Sequence, residues 1–192
     1  MIGSMKKLFA LVLAMLLAAC VPQKFNSADI TGANYARDFQ LADAQGQPRT
    51  LADFRGKVVL IFFGYAQCPD VCPTTLSDMA EIKRRLGPAG EKLQVIFVTV
   101  DPARDTAEVL GQYVPAFDKS FVGLRGTPEQ TEAVAREFKI FYRQVPGATP
   151  SSYTIDHTAG SYVFDREGRV RLFLRHKQDI DSVVADLKRL LS

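Results

Sequence analysis

The hydrophobic positions of the chain form continuous runs and helical stripes in alternation. Two apolar, β-prone runs, 57–63 and 93–100, predict strands that are buried on both faces of a sheet. Between them, apolar residues recur at helical spacing, at Leu76, Met79, Ile82 and Leu86. This pattern predicts a helix that is capped by Thr74 or Thr75 and stopped at Gly87.

The second half of the chain continues the alternation. It predicts a helix over 105–117, a short strand over 121–124 and a helix that runs to about residue 141. Thr127 and Gln130 form a capping box at the start of that helix. The stretch 143–158 is long for a connection and predicts a functional loop. A hairpin over 160–174 and an amphipathic helix over 180–191 close the chain.

This order of elements indicates one α/β domain over residues 38–192. A β-α-β-α-β-α-β-β-α order is typical of thioredoxin-like domains, in which a central mixed β-sheet is flanked by helices on both faces. The fold places Cys68 where the first central strand turns into its helix. The proline that precedes the hairpin in thioredoxins is absent, and His157 stands near that location.

The first residues of the chain are typical of a bacterial lipoprotein. Lys6 and Lys7 precede twelve apolar residues, fewer than the ~20 that a membrane-spanning helix needs. Leu17-Ala18-Ala19-Cys20 resembles a lipobox, so we expect a signal peptide over 1–19 and a lipidated Cys20. An ordinary signal peptide with a chance cysteine is the alternative. Residues 20–37 show no periodicity and predict a flexible tether, and the protein is expected to be exported and anchored in the membrane on the periplasmic side.

Charge excludes one class of partner. The formal net charge is only +3, and the basic residues do not cluster on one predicted face with aromatic residues between them. We therefore expect no binding to nucleic acid.

Cys68 and Cys72 have three residues between them, in "CPDVCP". On a helical turn this spacing places both sulfurs on one face, where they can close a disulfide or chelate a metal. A helix N-terminus lowers the pKa of a cysteine and favours the thiolate. Lipidation of Cys20 would leave these two cysteines as a functional pair, and an exported protein can keep a disulfide.

A third ligand is predicted from the two histidines of the chain. His176 lies in a charged segment and is predicted to be a surface residue. His157 lies in a segment bound for the sheet end that carries Cys68, with Asp156 and Thr158 as candidate partners of its other ring nitrogen. Two thiolates and an imidazole suit Cu(I) and also Cu(II), whereas structural zinc sites usually have a fourth protein ligand.

These residues resemble a known family, the Sco (SenC) proteins. The resemblance runs from about residue 38 to the C-terminus and rests on "GKVVLIFFGY", "CPDVCP", "VTVDPARDT" and "IDHTAGSYVFD". It implies a copper-binding assembly factor for the Cu_A centre of cytochrome c oxidase. One copper ion would bind Cys68, Cys72 and His157, and the two cysteines would also cycle between dithiol and disulfide. Ala66-Gln67 stands where Thr-His often precedes the first cysteine of the family.

The resemblance also implies partners. They are the copper-bearing subunit of the oxidase, an upstream copper donor, a thiol reductant, and the membrane through the lipid anchor. Asp101 and Arg104 of the third motif are expected near the cysteine loop, where they could tune charge or dock a partner, or serve only as turn and cap residues.

Three other functions compete with the metallochaperone. The first is a thiol-disulfide oxidoreductase that reduces the cysteine ligands of the oxidase copper site, with Cys68 attacking and Cys72 resolving. The second is a peroxiredoxin-like peroxidase, which Tyr65 disfavours because it replaces the usual threonine. The third is a structural disulfide, which would gain little loop entropy from so short a ring.

Overall fold

The computed structural model describes residues 24–149 and 152–192. The predicted signal peptide and Cys20 lie outside these residues. Within the two ranges, no helix combines the length and the apolar character needed to span a bilayer.

Within residues 24–149 and 152–192, ten strands form two sheets. They are β1 (Ala28–Asp29), β2 (Leu41–Asp43), β3 (Pro48–Arg49), β4 (Val58–Gly64), β5 (Leu93–Thr99), β6 (Val122–Arg125), β7 (Tyr142–Pro146), β8 (Tyr153–His157), β9 (Ser161–Phe164) and β10 (Val170–Leu174). Eight strands form a mixed sheet in the order β1-β10-β9-β4-β5-β6-β2-β3, and β7 and β8 form a separate antiparallel pair. The helices are α1 (Val71–Leu86), α2 (Ala107–Tyr113), α3 (Pro128–Glu137) and α4 (Ile180–Leu191), with 3-10 turns at Leu51–Phe54, Gly87–Lys92 and Val114–Ala116.

The two central strands confirm the prediction from the apolar runs. Every residue of β4 and β5 is buried. The strands pair in parallel from Val58 opposite Leu93 to Gly64 opposite Thr99. Their carboxyl ends therefore meet at one edge of the sheet, and the chain segments that follow β4 and β5 lie side by side there. This arrangement, with helices between the strands and a terminal hairpin and helix, is the predicted thioredoxin-like α/β fold.

Helix α3 begins where the capping box predicts and ends earlier than expected. Thr127 Oγ1 accepts the Gln130 N–H at 3.2 Å, and the Thr127 N–H donates to Gln130 Oε1 at 2.8 Å. The helix ends at Glu137 rather than near residue 141 because Lys139 adopts a left-handed conformation, with φ of 51°.

The segment 24–37 differs from the predicted flexible tether. Asp186 of α4 is fully buried and accepts the Ser27 N–H at 2.8 Å and the Ser27 hydroxyl at 2.7 Å. Arg189 donates to the Lys24 carbonyl at 2.5 Å, and Phe25 shares a surface cavity with residues of the β9–β10 turn. In addition, β1 of this segment pairs with β10, and Ala36 is fully buried, so the segment is an ordered part of the domain.

Candidate metal centre

The cysteines lie where β4 leads into α1. Cys68 is in the connecting loop, where its N–H donates to the Tyr65 carbonyl at 3.2 Å. Cys72 is in the first turn of α1, which begins at Val71. The predicted cap at Thr74 or Thr75 is therefore wrong, and the two sulfurs come from a loop and a helix start rather than from one helical turn.

The early start of α1 is compatible with Pro73. A proline in the first helical turn removes an N–H that has no helical acceptor, so it costs the helix nothing there. The free N–H of Cys72 points instead at Cys68 Sγ, at 3.4 Å. The helix N-terminus thus stabilises negative charge on Cys68, as the sequence predicts.

Gly64, the last residue of β4, makes room for Cys72. A Cβ atom at this position would lie 2.7 Å from Cys72 Sγ and 2.9 Å from Cε2 of Phe97. Cys72 is fully buried, whereas Cys68 is partly exposed. The glycine therefore lets the inner sulfur lie directly on the sheet.

The two thiols differ in their acidity. A hydrogen bond with the Cys72 thiol is the main cause that lowers the pKa of Cys68 to about 4; partial burial opposes it, and His157 supports it. The same hydrogen bond, followed by burial, raises the pKa of Cys72. The metal-free pair therefore shares one proton, which stays on the buried Cys72 while the accessible Cys68 is a thiolate.

His157 ends strand β8 and faces the cysteines. Its Nε2 lies 3.5 Å from Cys72 Sγ, and its Nδ1 lies 3.1 Å from the Thr158 carbonyl oxygen. A carbonyl only accepts hydrogen bonds, so Nδ1 is the donor in this contact, and Nε2 is the ring nitrogen that faces the cysteines. Of the two predicted partners, Thr158 holds the ring through its backbone, and Asp156 instead pairs with Arg143 at 3.3 Å.

Aromatic rings fix the plane of this imidazole. The rings of Phe62 and Tyr65 each meet the His157 ring edge-on, with centroids 6.0 Å away. The Tyr65 hydroxyl accepts the Ile155 N–H at 3.2 Å, which joins the cysteine loop to β8. Tyr65, which counted against a peroxidase, therefore serves as a buried wall of the site.

The three predicted ligands meet at one point. The sulfurs of Cys68 and Cys72 and a ring nitrogen of His157 all lie within 4.8 Å of one another. A surface cavity of about 310 Å³ opens onto Cys68 and His157. Two sulfur donors and one nitrogen donor fit copper, which the sequence predicts as Cu(I) or Cu(II). His176 lies apart from this group and contacts Thr75 Oγ1 at 3.3 Å through Nδ1.

The loop after β5 adds a buried carboxylate behind the cysteines. Asp105 Oδ2 accepts the Ala66 N–H at 3.0 Å and the Thr99 hydroxyl at 2.6 Å. Its Oδ1 has no partner among the described residues, and burial raises the pKa of the carboxyl. Sequence reasoning singled out this motif but did not assign Asp105, since nothing in the letters shows which side chain turns inward.

Comparison with known proteins agrees with this geometry. The sequence model of the SCO1/SenC family matches residues 27–192. The mitochondrial SCO2 homolog of mouse is 34% identical over 154 residues, which cover 79% of this chain and 60% of the mouse protein. The chain thus spans less than two thirds of that relative.

Two solved structures share the fold closely. Copper-bound ScoI of Bradyrhizobium japonicum is 40% identical, with a TM-score of 0.73 over 80% of this chain and 97% of that one. Apo Sco1 of Thermus thermophilus is 42% identical, with a TM-score of 0.78 over 89% of this chain and 99% of that one. The family model and these relatives show that the chain belongs to the SCO1/SenC family.

Proposed function

We propose that this protein is a copper metallochaperone that helps to assemble the Cu_A centre of cytochrome c oxidase. The observation that carries the proposal is the convergence of the sulfurs of Cys68 and Cys72 and a ring nitrogen of His157 within 4.8 Å of one another. Three protein ligands at a surface cavity leave copper open to ligands of a partner. Copper can then pass to the oxidase subunit by ligand exchange, without a free ion.

The two histidines of the chain provide a matched test. The reduced protein is titrated with Cu(I) against a competing chelator, and the Cu(II) form is followed by its thiolate charge-transfer absorption. Wild type and His176→Ala should bind one copper per chain with the same affinity and spectrum. His157→Ala should lose tight binding and shift the absorption bands, because one of three ligands is gone. Tight binding retained by His157→Ala would refute the three-ligand site.

A second function, thiol-disulfide exchange with the oxidase, is favoured by the asymmetry of the cysteines. The accessible Cys68 thiolate would attack a disulfide of the target and release one target thiolate. Cys72 would then attack Cys68 in this mixed disulfide, which frees the second target thiol and leaves a Cys68–Cys72 disulfide. The two electrons pass to the target, and a thiol reductant must restore the pair. A Cys72→Ser variant that fails to accumulate the mixed disulfide would exclude this route.

The location of the protein is part of the proposal. An exported lipoprotein anchored through Cys20 on the periplasmic side would face the copper-bearing subunit and an upstream copper donor. Labelled fatty acid should enter the wild-type protein in cells and should not enter Cys20→Ser. Labelling of both proteins, or of neither, would remove this anchor from the proposal.

A further inference from the structure

Arg104 connects the three chain segments that build the metal site. Its Nε pairs with Asp101 Oδ2 at 2.5 Å, in the loop that follows β5. Its Nη1 donates to Gln67 Oε1 at 3.2 Å, next to Cys68, and to the Tyr153 carbonyl at 2.9 Å, at the start of β8. One guanidinium therefore ties the cysteine loop and the β7–β8 hairpin to the edge of the central sheet.

The contacts of Arg104 close into a network. Its guanidinium carbon lies 3.5 Å from the centre of the Tyr153 ring and 5.6 Å from that of the Tyr65 ring. The Tyr153 hydroxyl donates to the other oxygen of Asp101, at 2.8 Å. Asp101 is 2% exposed, so these charged contacts are shielded from water and are stronger than surface pairs.

The position of the Arg104 guanidinium has a free-energy cost. Its Nη2 is buried and finds no hydrogen-bond partner among residues 24–149 and 152–192. An unpaired buried donor costs free energy, so its presence requires a specific explanation. Stacking on the Tyr153 ring therefore acts together with the polar contacts of Nε and Nη1 to fix the guanidinium.

The hairpin depends on such ties because it lies outside the main sheet. Strands β7 and β8 pair with each other, and an isolated two-stranded hairpin is marginally stable in water. Beyond the Arg104 contacts, the Tyr65 hydroxyl holds the Ile155 N–H. His157 lies four residues after Tyr153, at the end of the same strand.

We propose that Arg104 is the positioning residue of the metal site and holds the hairpin so that His157 stays within reach of the two sulfurs. Arg104 touches none of the reacting atoms and acts through His157. The inference rests on the proposed copper-binding function and assigns a role to the Asp101–Arg104 motif that the ligand set alone does not explain.

A double-mutant cycle tests this role. Arg104→Gln should lower Cu(I) affinity by about 10- to 100-fold, as the loss of a residue that orients a ligand does. In a His157→Ala background the same change should alter affinity by less than about 2-fold, because its route of action is gone. Arg125→Gln is the matched control, since Arg125 donates to the carbonyls of Pro102 and Asp105 in the same loop. It should bind copper like wild type.

A second readout needs no metal. In the metal-free protein, the Ile155 amide should exchange its hydrogen faster in Arg104→Gln than in Arg125→Gln, because the hairpin opens. If Arg104→Gln does not fold, Tyr153→Phe removes only the hydroxyl that donates to Asp101 and should give the same two changes at smaller size.

The outcomes separate the two proposals. Unchanged copper affinity in Arg104→Gln, or an equal loss in both backgrounds of the cycle, would overturn the role of Arg104. Failure of the wild type to bind copper would overturn the proposed function, whereas the exchange rates would still show whether Arg104 holds the hairpin.

Discussion

Gly64→Ala tests whether the cysteine pair is rigidly seated on the sheet. No positive φ is involved at Gly64, so alanine fits the backbone and the effect is purely steric. The new Cβ would meet Cys72 Sγ at 2.7 Å, whereas ordinary contact begins at 3.4 Å, so the atoms must separate by about 0.7 Å. Phe97 and Phe62, which also crowd the position, are fully buried and cannot yield toward solvent.

Two magnitudes follow from this crowding. Overpacking a filled core costs about 1–3 kcal/mol, so the free energy of unfolding should fall by that amount. Metal sites tolerate displacements of only about 0.2 Å in their ligand distances, so a shift of Cys72 Sγ by several times that value should weaken copper binding measurably.

The assay combines urea unfolding with Cu(I) competition on the same preparations. Gly111→Ala is the control, since Gly111 is exposed in α2 and its new Cβ would meet only Ala44 Cβ, at 3.3 Å. That change should leave copper binding intact and should stabilise the protein by up to about 1 kcal/mol through helix propensity. A Gly64→Ala protein with wild-type stability and affinity would refute the close seating of Cys72.

Two further predictions concern acidity and the N-terminal segment. Since the lowered pKa keeps Cys68 ionised above about pH 4, its alkylation by iodoacetamide in the metal-free protein should stay nearly constant from about pH 8 down to about pH 6. Cys72→Ala should move the midpoint of alkylation to higher pH, and unchanged midpoints would contradict the shared proton. Asp186→Ala leaves the N–H groups of Asn26 and Ser27 without their acceptor. The free energy of unfolding, measured by urea titration, should therefore fall by about 3 kcal/mol. A loss below about 1 kcal/mol would show that Asp186 contributes little to holding the N-terminal segment.

The central strands could be predicted from a strong local signal, and the proximity of Cys68, Cys72 and His157 could be predicted from the topology. Buried parallel strands appear as unbroken apolar runs in the sequence, and a capping box marks the residue at which a helix begins, as at Thr127. The topology predicts that the two cysteines and His157 lie close together, since Cys68 follows a central strand and His157 precedes the β9–β10 hairpin. The choice of copper rested on donor chemistry and on the family resemblance.

The remaining features depend on contacts that produce no periodic pattern of hydrophobic residues in the sequence. The stretch 143–158 was predicted to be a loop, and that prediction is wrong, since β7 and β8 occupy most of it. In β7 the adjacent exposed residues Arg143 and Gln144 interrupt any alternation of apolar and polar positions. The roles of Asp105 and Arg104 were likewise out of reach, because only the fold shows which neighbours they meet.

The placement of Lys24 and Phe25 has a consequence for delivery. Phe25 lies by the β9–β10 turn, and the Lys24 carbonyl accepts a hydrogen bond from Arg189, which lines the same cavity. Strand β9, which leads into that turn, pairs with the start of β4, and the proposed copper ligands lie beyond the other end of β4. Seven strand residues separate the two ends, or about 20 Å. If the protein is anchored through a lipid on Cys20, as proposed, the Cys-Cys-His site would lie at the end of the domain that is farthest from the bilayer. The height of the acceptor site above the membrane would then decide which proteins can receive copper.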